Sequence, residues 1–127
     1  MKLEVLNAIE ELKRAFPLSA VLSREDGNGG AYVIVEDVAI GCRYQPSSTW
    51  IGGHITAFYP YADIYPLFIA DNVRRVDGVA FQPPVTHGAQ FLERPALQVS
   101  RRNNHTQHYP QTAVAKFLKV LHFLEQL

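Results

Sequence analysis

The chain has 127 residues, 47% of them hydrophobic, with a formal net charge of zero and one cysteine. That length suits one domain with a buried core, and the hydrophobic content excludes a disordered segment. Balanced charge excludes a protein that relies on excess positive charge, so neither nucleic acid nor an anionic membrane is an expected partner.

A lone cysteine closes no intramolecular disulfide, which points to a reducing compartment. Lys2, Glu4, Glu10 and Glu11 fall within a helical pattern rather than a signal layout, and no apolar run approaches the ~20 residues of a membrane span. The expected location is the cytoplasm.

In chain order, Leu3, Leu6, Ile9, Leu12 and Phe16, with Val5, recur at three- and four-residue spacing, which predicts an amphipathic helix ended by Pro17. Ala20–Ser23 reads as a short strand. Asp26-Gly27-Asn28-Gly29-Gly30 reads as a hairpin turn, and Ala31–Val35 as the partner strand. Gly41–Ser48, with Pro46, reads as a connection. Thr49–Phe58 is the expected central strand, stopped by Pro60 because proline donates no ladder hydrogen bond. Between Pro60 and Asn104 the periodic signal thins to short pieces, Leu67–Ile69 and Ala96–Val99, which predicts a long irregular segment of functional kind. Thr112 is the expected N-cap of a last helix whose apolar stripe is Val114, Phe117, Leu118, Leu121 and Leu124. Two helices covering one face of an antiparallel sheet make an α+β fold, with residues 1–127 as one domain.

Three pieces carry a resemblance. Phe58-Tyr59-Pro60…Ile64-Tyr65-Pro66-Leu67-Phe68 looks like a strand followed by a P-x-x-YP-x-x-P loop. Asn72-Val73-Arg74-Arg75-Val76-Asp77-Gly78 is similar to the turn after such a loop. Phe91-Leu92-Glu93-Arg94-Pro95…Gln98-Val99-Ser100-Arg101-Arg102-Asn103 resembles F-x-G-R-x-x-Q-x-x-S-R-H-N. In this order they resemble the E2 (UBC) domain, and among E2-like proteins the bacterial group called prokaryotic E2 family E. Glu93 and Arg102 depart from that pattern, which carries Gly and His there, and its Trp-rich character is missing. The resemblance implies a UBC-like fold: an N-terminal helix, an antiparallel four-strand meander, an irregular Pro-rich segment and a C-terminal helix. It implies a ubiquitin-like protein, an E1-like adenylating enzyme and a JAB-type protease as pathway partners.

An ordinary E2 shows His-Pro-Asn followed within about ten residues by its nucleophilic cysteine, which must be an activated thiolate. This chain has neither feature, and its one thiol, Cys42, precedes the central strand. The expectation is an E2-like binding or scaffold component without the usual chemistry. Two alternatives stand: a divergent conjugating enzyme using Cys42, or His105 with Ser100; and an RWD-like or UBC-like interaction module outside such pathways. Arg94, Ser100, Arg101, Arg102 and Asn103 are the binding candidates, since guanidinium groups clamp carboxylates or carbonyls. Two roles are open for Arg94 and Arg101: recognition of a partner, or pinning buried carbonyls of the irregular segment. Tyr59, Pro60, Tyr65 and Pro66 make the partner-facing loop that the resemblance implies, and a Tyr-Pro bond favours a fixed cis turn. His87, His105 and His108 lack accompanying cysteines or dense carboxylates, so no metal is expected. No cofactor motif is present: no phosphate-binding loop, dinucleotide fingerprint or serine elbow.

Overall fold

The computed structural model describes residues 1–102 and 112–127. Helices α1 (Leu3–Ala15) and α2 (Ala113–Glu125) lie on one face of an antiparallel six-stranded sheet, an α+β architecture. From edge to edge the sheet runs β1 (Val21–Glu25), β2 (Ala31–Ala39), β4 (Ser48–Ile55), β5 (Leu67–Ala70), β8 (Arg94–Val99) and β7 (Val85–Phe91). Two short strands, β3 (Tyr44–Gln45) and β6 (Arg74–Arg75), pair with each other beside it. Among the described residues no helix is long and apolar enough to cross a membrane.

Strand alternation divides the side chains between two faces. Val33, Val35, Ile51, Ile55, Leu67, Ile69, Leu97 and Val99 point at the helices and form the main core with Val5, Leu12, Phe117 and Leu124. Ile34, Ala96 and Phe91 form a second cluster on the opposite face, packed against Tyr32, Trp50 and Phe68.

The helix stripes differ from the periodic expectation. On α1 the buried residues are Val5, Ala8, Ile9 and Leu12, while Leu3 and Leu6 are exposed. On α2 they are Ala113, Lys116, Phe117, Val120, Leu121 and Leu124, while Leu118 is exposed and Val114 is half-buried. In both helices the packed arc is set by which residues meet the sheet and the other helix, and small or long-stemmed side chains fill it. Thr112 caps α2 as expected, its hydroxyl accepting from Ala115 N–H at 3.0 Å.

The central strand ends at Ile55 rather than Phe58. Thr56 O accepts from Tyr59 N–H at 3.0 Å and Thr56 Oγ1 from Phe58 N–H at 3.3 Å, so the chain turns before the proline. The expected irregular segment contains four strands, β5 to β8. The sheet therefore has six strands, of which β1, β2, β4 and β5 are a four-strand meander. Strand β7 was hidden because, between Val85 and Phe91, its side chains are mostly exposed and its ladder with β8 shifts between Thr86 and Ala89. Its hairpin turn, Leu92-Glu93, takes φ of 49° and 66° without glycine.

Asp26 organises the first hairpin. Its Oδ1 accepts from Asn28 N–H at 2.7 Å and Gly30 N–H at 2.9 Å, and its Oδ2 lies 2.7 Å from His54 Nε2 on β4. The His54 ring stacks on Tyr32, 4.3 Å between centroids. The hydrogen bond from His54, then that from Asn28, holds the Asp26 carboxyl below its ordinary value of 3.8. A depressed carboxyl contributes stability above 3.8 and loses it as pH falls through the lower folded value. Asp26→Asn is expected to melt below the wild type at neutral pH, the two curves converging in acid. Melting followed by circular dichroism across that range checks this, and a constant gap would refute it.

Candidate functional site

The binding candidates Ser100, Arg101 and Arg102 leave the end of β8 and cross between the Tyr-Pro loop and α2. Ser100 is held by its N–H on Pro84 O at 2.9 Å and by Gln98 Nε2 donating to its hydroxyl at 3.0 Å. The Arg101 guanidinium lies over the Phe123 ring at 4.6 Å, and that of Arg102 over Tyr65 at 4.0 Å. Arg101 Nε is buried without an acceptor among the described residues, so stacking rather than hydrogen bonding holds that group. Arg102 is exposed.

Beneath them sits Lys116, only 2% exposed. Its Nζ lies 3.0 Å from Asp63 Oδ1 and 3.1 Å from Oδ2, and it donates to Arg101 O. Burial pushes its pKa below the usual lysine value, partly offset by the Asp63 hydrogen bond. Lys119 Nζ donates to Arg102 O at 3.0 Å. Two lysines of α2 thus hold the carbonyls of the two arginines, fixing the backbone from which the guanidinium groups project. Sequence reasoning missed Lys116 and Asp63. The available signal was a lysine three residues from Ala113 and four from Val120, inside the buried arc of the last helix.

Tyr59 is a correction. Expected on a partner-facing loop, it is buried, and its hydroxyl accepts from Ala113 N–H at 3.0 Å. It satisfies an otherwise unpaired donor in the first turn of α2. Pro60, Tyr65 and Pro66 are half-buried, and both Tyr-Pro bonds are cis. The outward groups of this loop are Phe58 and Tyr61.

Arg94 does not join Ser100–Arg102, since it stands at the opposite end of β8, six residues or about 20 Å along the strand from Ser100. Nor does it pin carbonyls. Its guanidinium grips Glu36 bidentately at 2.9 and 3.1 Å and lies 5.4 Å over Trp50. The Glu36 hydrogen bond raises its pKa, so it is a fixed cation. With Arg24–Glu93 at 3.1 Å, it fastens the β7–β8 hairpin tip across the open sheet face, where Phe91 stacks on Phe68 at 4.9 Å.

Cys42 is exposed, in the turn between β2 and β3. Ser100 is level with His54 of β4 through the ladders Val99–Leu67 and Phe68–Gly52, whereas Cys42 lies beyond the pair Ala39–Ser48. The difference, about six strand residues, separates the thiol from Ser100 by about 20 Å along the strand direction alone. Asn103, His105 and His108 lie outside the described residues. His87, on β7, is exposed, and among the described residues no group of three His, Cys, Asp or Glu is placed to hold a metal ion.

The assembled surface offers one exposed, stacked guanidinium (Arg102), a second whose edge is buried, and a preorganised backbone. That suits recognition of a carboxylate or carbonyl-rich chain. Among the described residues the Ser100 hydroxyl is hydrogen-bonded only to Gln98, which is no base. Comparison with protein-family models, with curated proteins and with solved structures found no match for this chain.

Proposed function

We propose that this chain is an E2-like protein of prokaryotic E2 family E type that has lost the thioester step and serves as a cytoplasmic binding or scaffold component. Its partners would be a ubiquitin-like protein or an E1-like enzyme of a bacterial conjugation pathway, with a JAB-type protease in the same pathway. The observation that carries the reading is the setting of the Tyr59–Pro66 loop. It joins the third and fourth strands of a β1-β2-β4-β5 meander, with α1 before it and α2 after it on one sheet face. The turn that follows, Asn72 to Phe81, holds no thiol, and Cys42 is at the far end of the sheet. On this reading Ser100, Arg101 and Arg102 are recognition residues, since a guanidinium on an aromatic ring keeps its donors for a carboxylate.

The test is incubation with the E1-like and ubiquitin-like proteins encoded beside the gene, with ATP. The expected result is a non-covalent complex, weakened about tenfold by Arg102→Ala, with no thiol-reducible adduct. An adduct that disappears in Cys42→Ser would instead establish a divergent conjugating enzyme. A gene neighbourhood without E1-like or JAB-like genes would overturn the pathway reading and leave an interaction module of another system.

A further inference from the structure

A cleft of about 220 Å³, lined by none of Ser100, Arg101 and Arg102, opens between the loop after β6 and the bulged part of β7. Its apolar lining includes Val73, Val79 and Phe81, and its polar lining includes Arg74, Arg75 and His87. We infer that this cleft binds a small carboxylate carried on an aromatic or branched aliphatic body, the apolar part lying on Phe81 and Val79 and the carboxylate meeting Arg74 and His87.

The walls are preformed. Arg75 is locked onto Asp77 through Nε at 3.2 Å and an Nη at 2.8 Å, and Asp77 Oδ1 accepts from Val79 N–H at 2.9 Å. Gly78 N–H donates to Arg75 O at 3.1 Å, closing the loop on itself. The Phe81 ring stacks on buried Tyr44, 5.9 Å between centroids and 17° between planes, which fixes the floor. A site whose groups are held in place beforehand loses less entropy when it fills.

Charge selects the occupant. Asp77 is the only carboxylate on the loop from Val73 to Phe81, and Arg75 occupies both its oxygens. Arg74 and His87 are exposed and have no salt bridge or side-chain hydrogen bond to a described residue; His87 makes only a tilted ring contact with Phe81 at 6.5 Å. The cleft therefore offers donors that an anion satisfies, beside apolar surface that a hydrated anion alone leaves uncovered. Val79 is 54% exposed at its rim, an uncovered branched side chain placed for the body of such a ligand.

The probe is 3-phenylpropionate, titrated into the full chain while amide NMR shifts are followed. Saturable shifts at residues 73–81 and 87, with a dissociation constant on the order of 1 mM, are expected for a ligand this small. The neutral amide of the same acid is expected to bind about tenfold more weakly, and acetate not to saturate. Arg74→Gln should weaken the acid about tenfold, and Val79→Asp should remove binding. Both changes are at exposed positions, and Arg102→Gln, whose guanidinium stacks on Tyr65 and does not line the cleft, should leave the titration unchanged. Equal binding of acid and amide, equal binding of acetate, shifts mapping elsewhere, or no saturation by about 10 mM would each overturn the assignment. None of these outcomes depends on an E1-like or ubiquitin-like partner, so this site and the pathway reading stand or fall separately.

Discussion

Gly52→Val is expected to destabilise the fold by about 3 kcal/mol, lowering its melting midpoint by roughly 10 °C. A Cβ at residue 52 would lie 2.7 Å from Phe91 Cε2 and 3.0 Å from Val33 O. The backbone oxygen belongs to a central ladder and has little room to move, so the strain falls on Phe91. That ring is 6% exposed and anchors the β7–β8 hairpin tip to the open sheet face. Losing its burial forfeits about 2 kcal/mol, and the displaced tip weakens the Arg94–Glu36 contact as well. Trp50, the one tryptophan, lies 6.3 Å from Phe91 between ring centroids and reports the event directly. Its emission should shift to the red in Gly52→Val while the helical circular dichroism persists. Combining Gly52→Ala with Phe91→Leu should cost less than the sum of the two single changes, because the smaller side chain relieves the clash. Additive losses, or wild-type emission in Gly52→Val, would refute this account.

Lys116→Ala is expected to cost about 3 kcal/mol, and Lys116→Met clearly less. Alanine removes both the buried stem and the charge that serves Asp63 and Arg101 O; methionine restores most of the volume alone. The pH dependence separates the charge from the packing. Burial lowers the folded pKa of Lys116 below its ordinary 10.5, so between those two values the unfolded chain binds more protons than the folded one. Stability contributed by this group therefore rises with pH through that window. Tyr44 and Tyr59 act oppositely above 10.0, where burial keeps their protons on in the folded state and the unfolded chain loses them. Urea denaturation below pH 10 should show a rise for the wild type that Lys116→Met lacks. Identical slopes would mean that the ammonium is not desolvated in the folded protein.

Gly52 and Lys116 show why part of the fold was legible in the sequence and part was not. Periodicity placed both helices and the first hairpin because amphipathic patterning is local. Asp26, Gly27 and Gly30 announced their turn for the same reason: the carboxylate bonds to N–H groups two and four residues away. Strand β7 went unread because an exposed edge strand with a bulge needs no apolar alternation. Thr112 was legible as a cap, whereas Tyr59 was not as a second partner for the same helix turn, since 54 residues separate its hydroxyl from Ala113 N–H.

The candidate site divides in the same way. The amino-acid sequence alone shows that the segment after β4 carries no thiol, that Ser100-Arg101-Arg102 is a cationic run, and that charge is balanced across the chain. It could not say which arginines act together. Arg94 and Arg101 looked alike as isolated guanidinium groups, but the tertiary structure sends one to Glu36 and Trp50 and lays the other on Phe123. It also turned Tyr59 inward, gave Gly52 its reason in a ring packed against it from β7, and buried a lysine under the exit of β8. The physical reason is range. Turns, caps and amphipathic stripes are decided by neighbours a few residues away and are written locally. Desolvation, stacking and charge pairing depend on which distant segments meet, and that is decided only when the sheet closes against its helices.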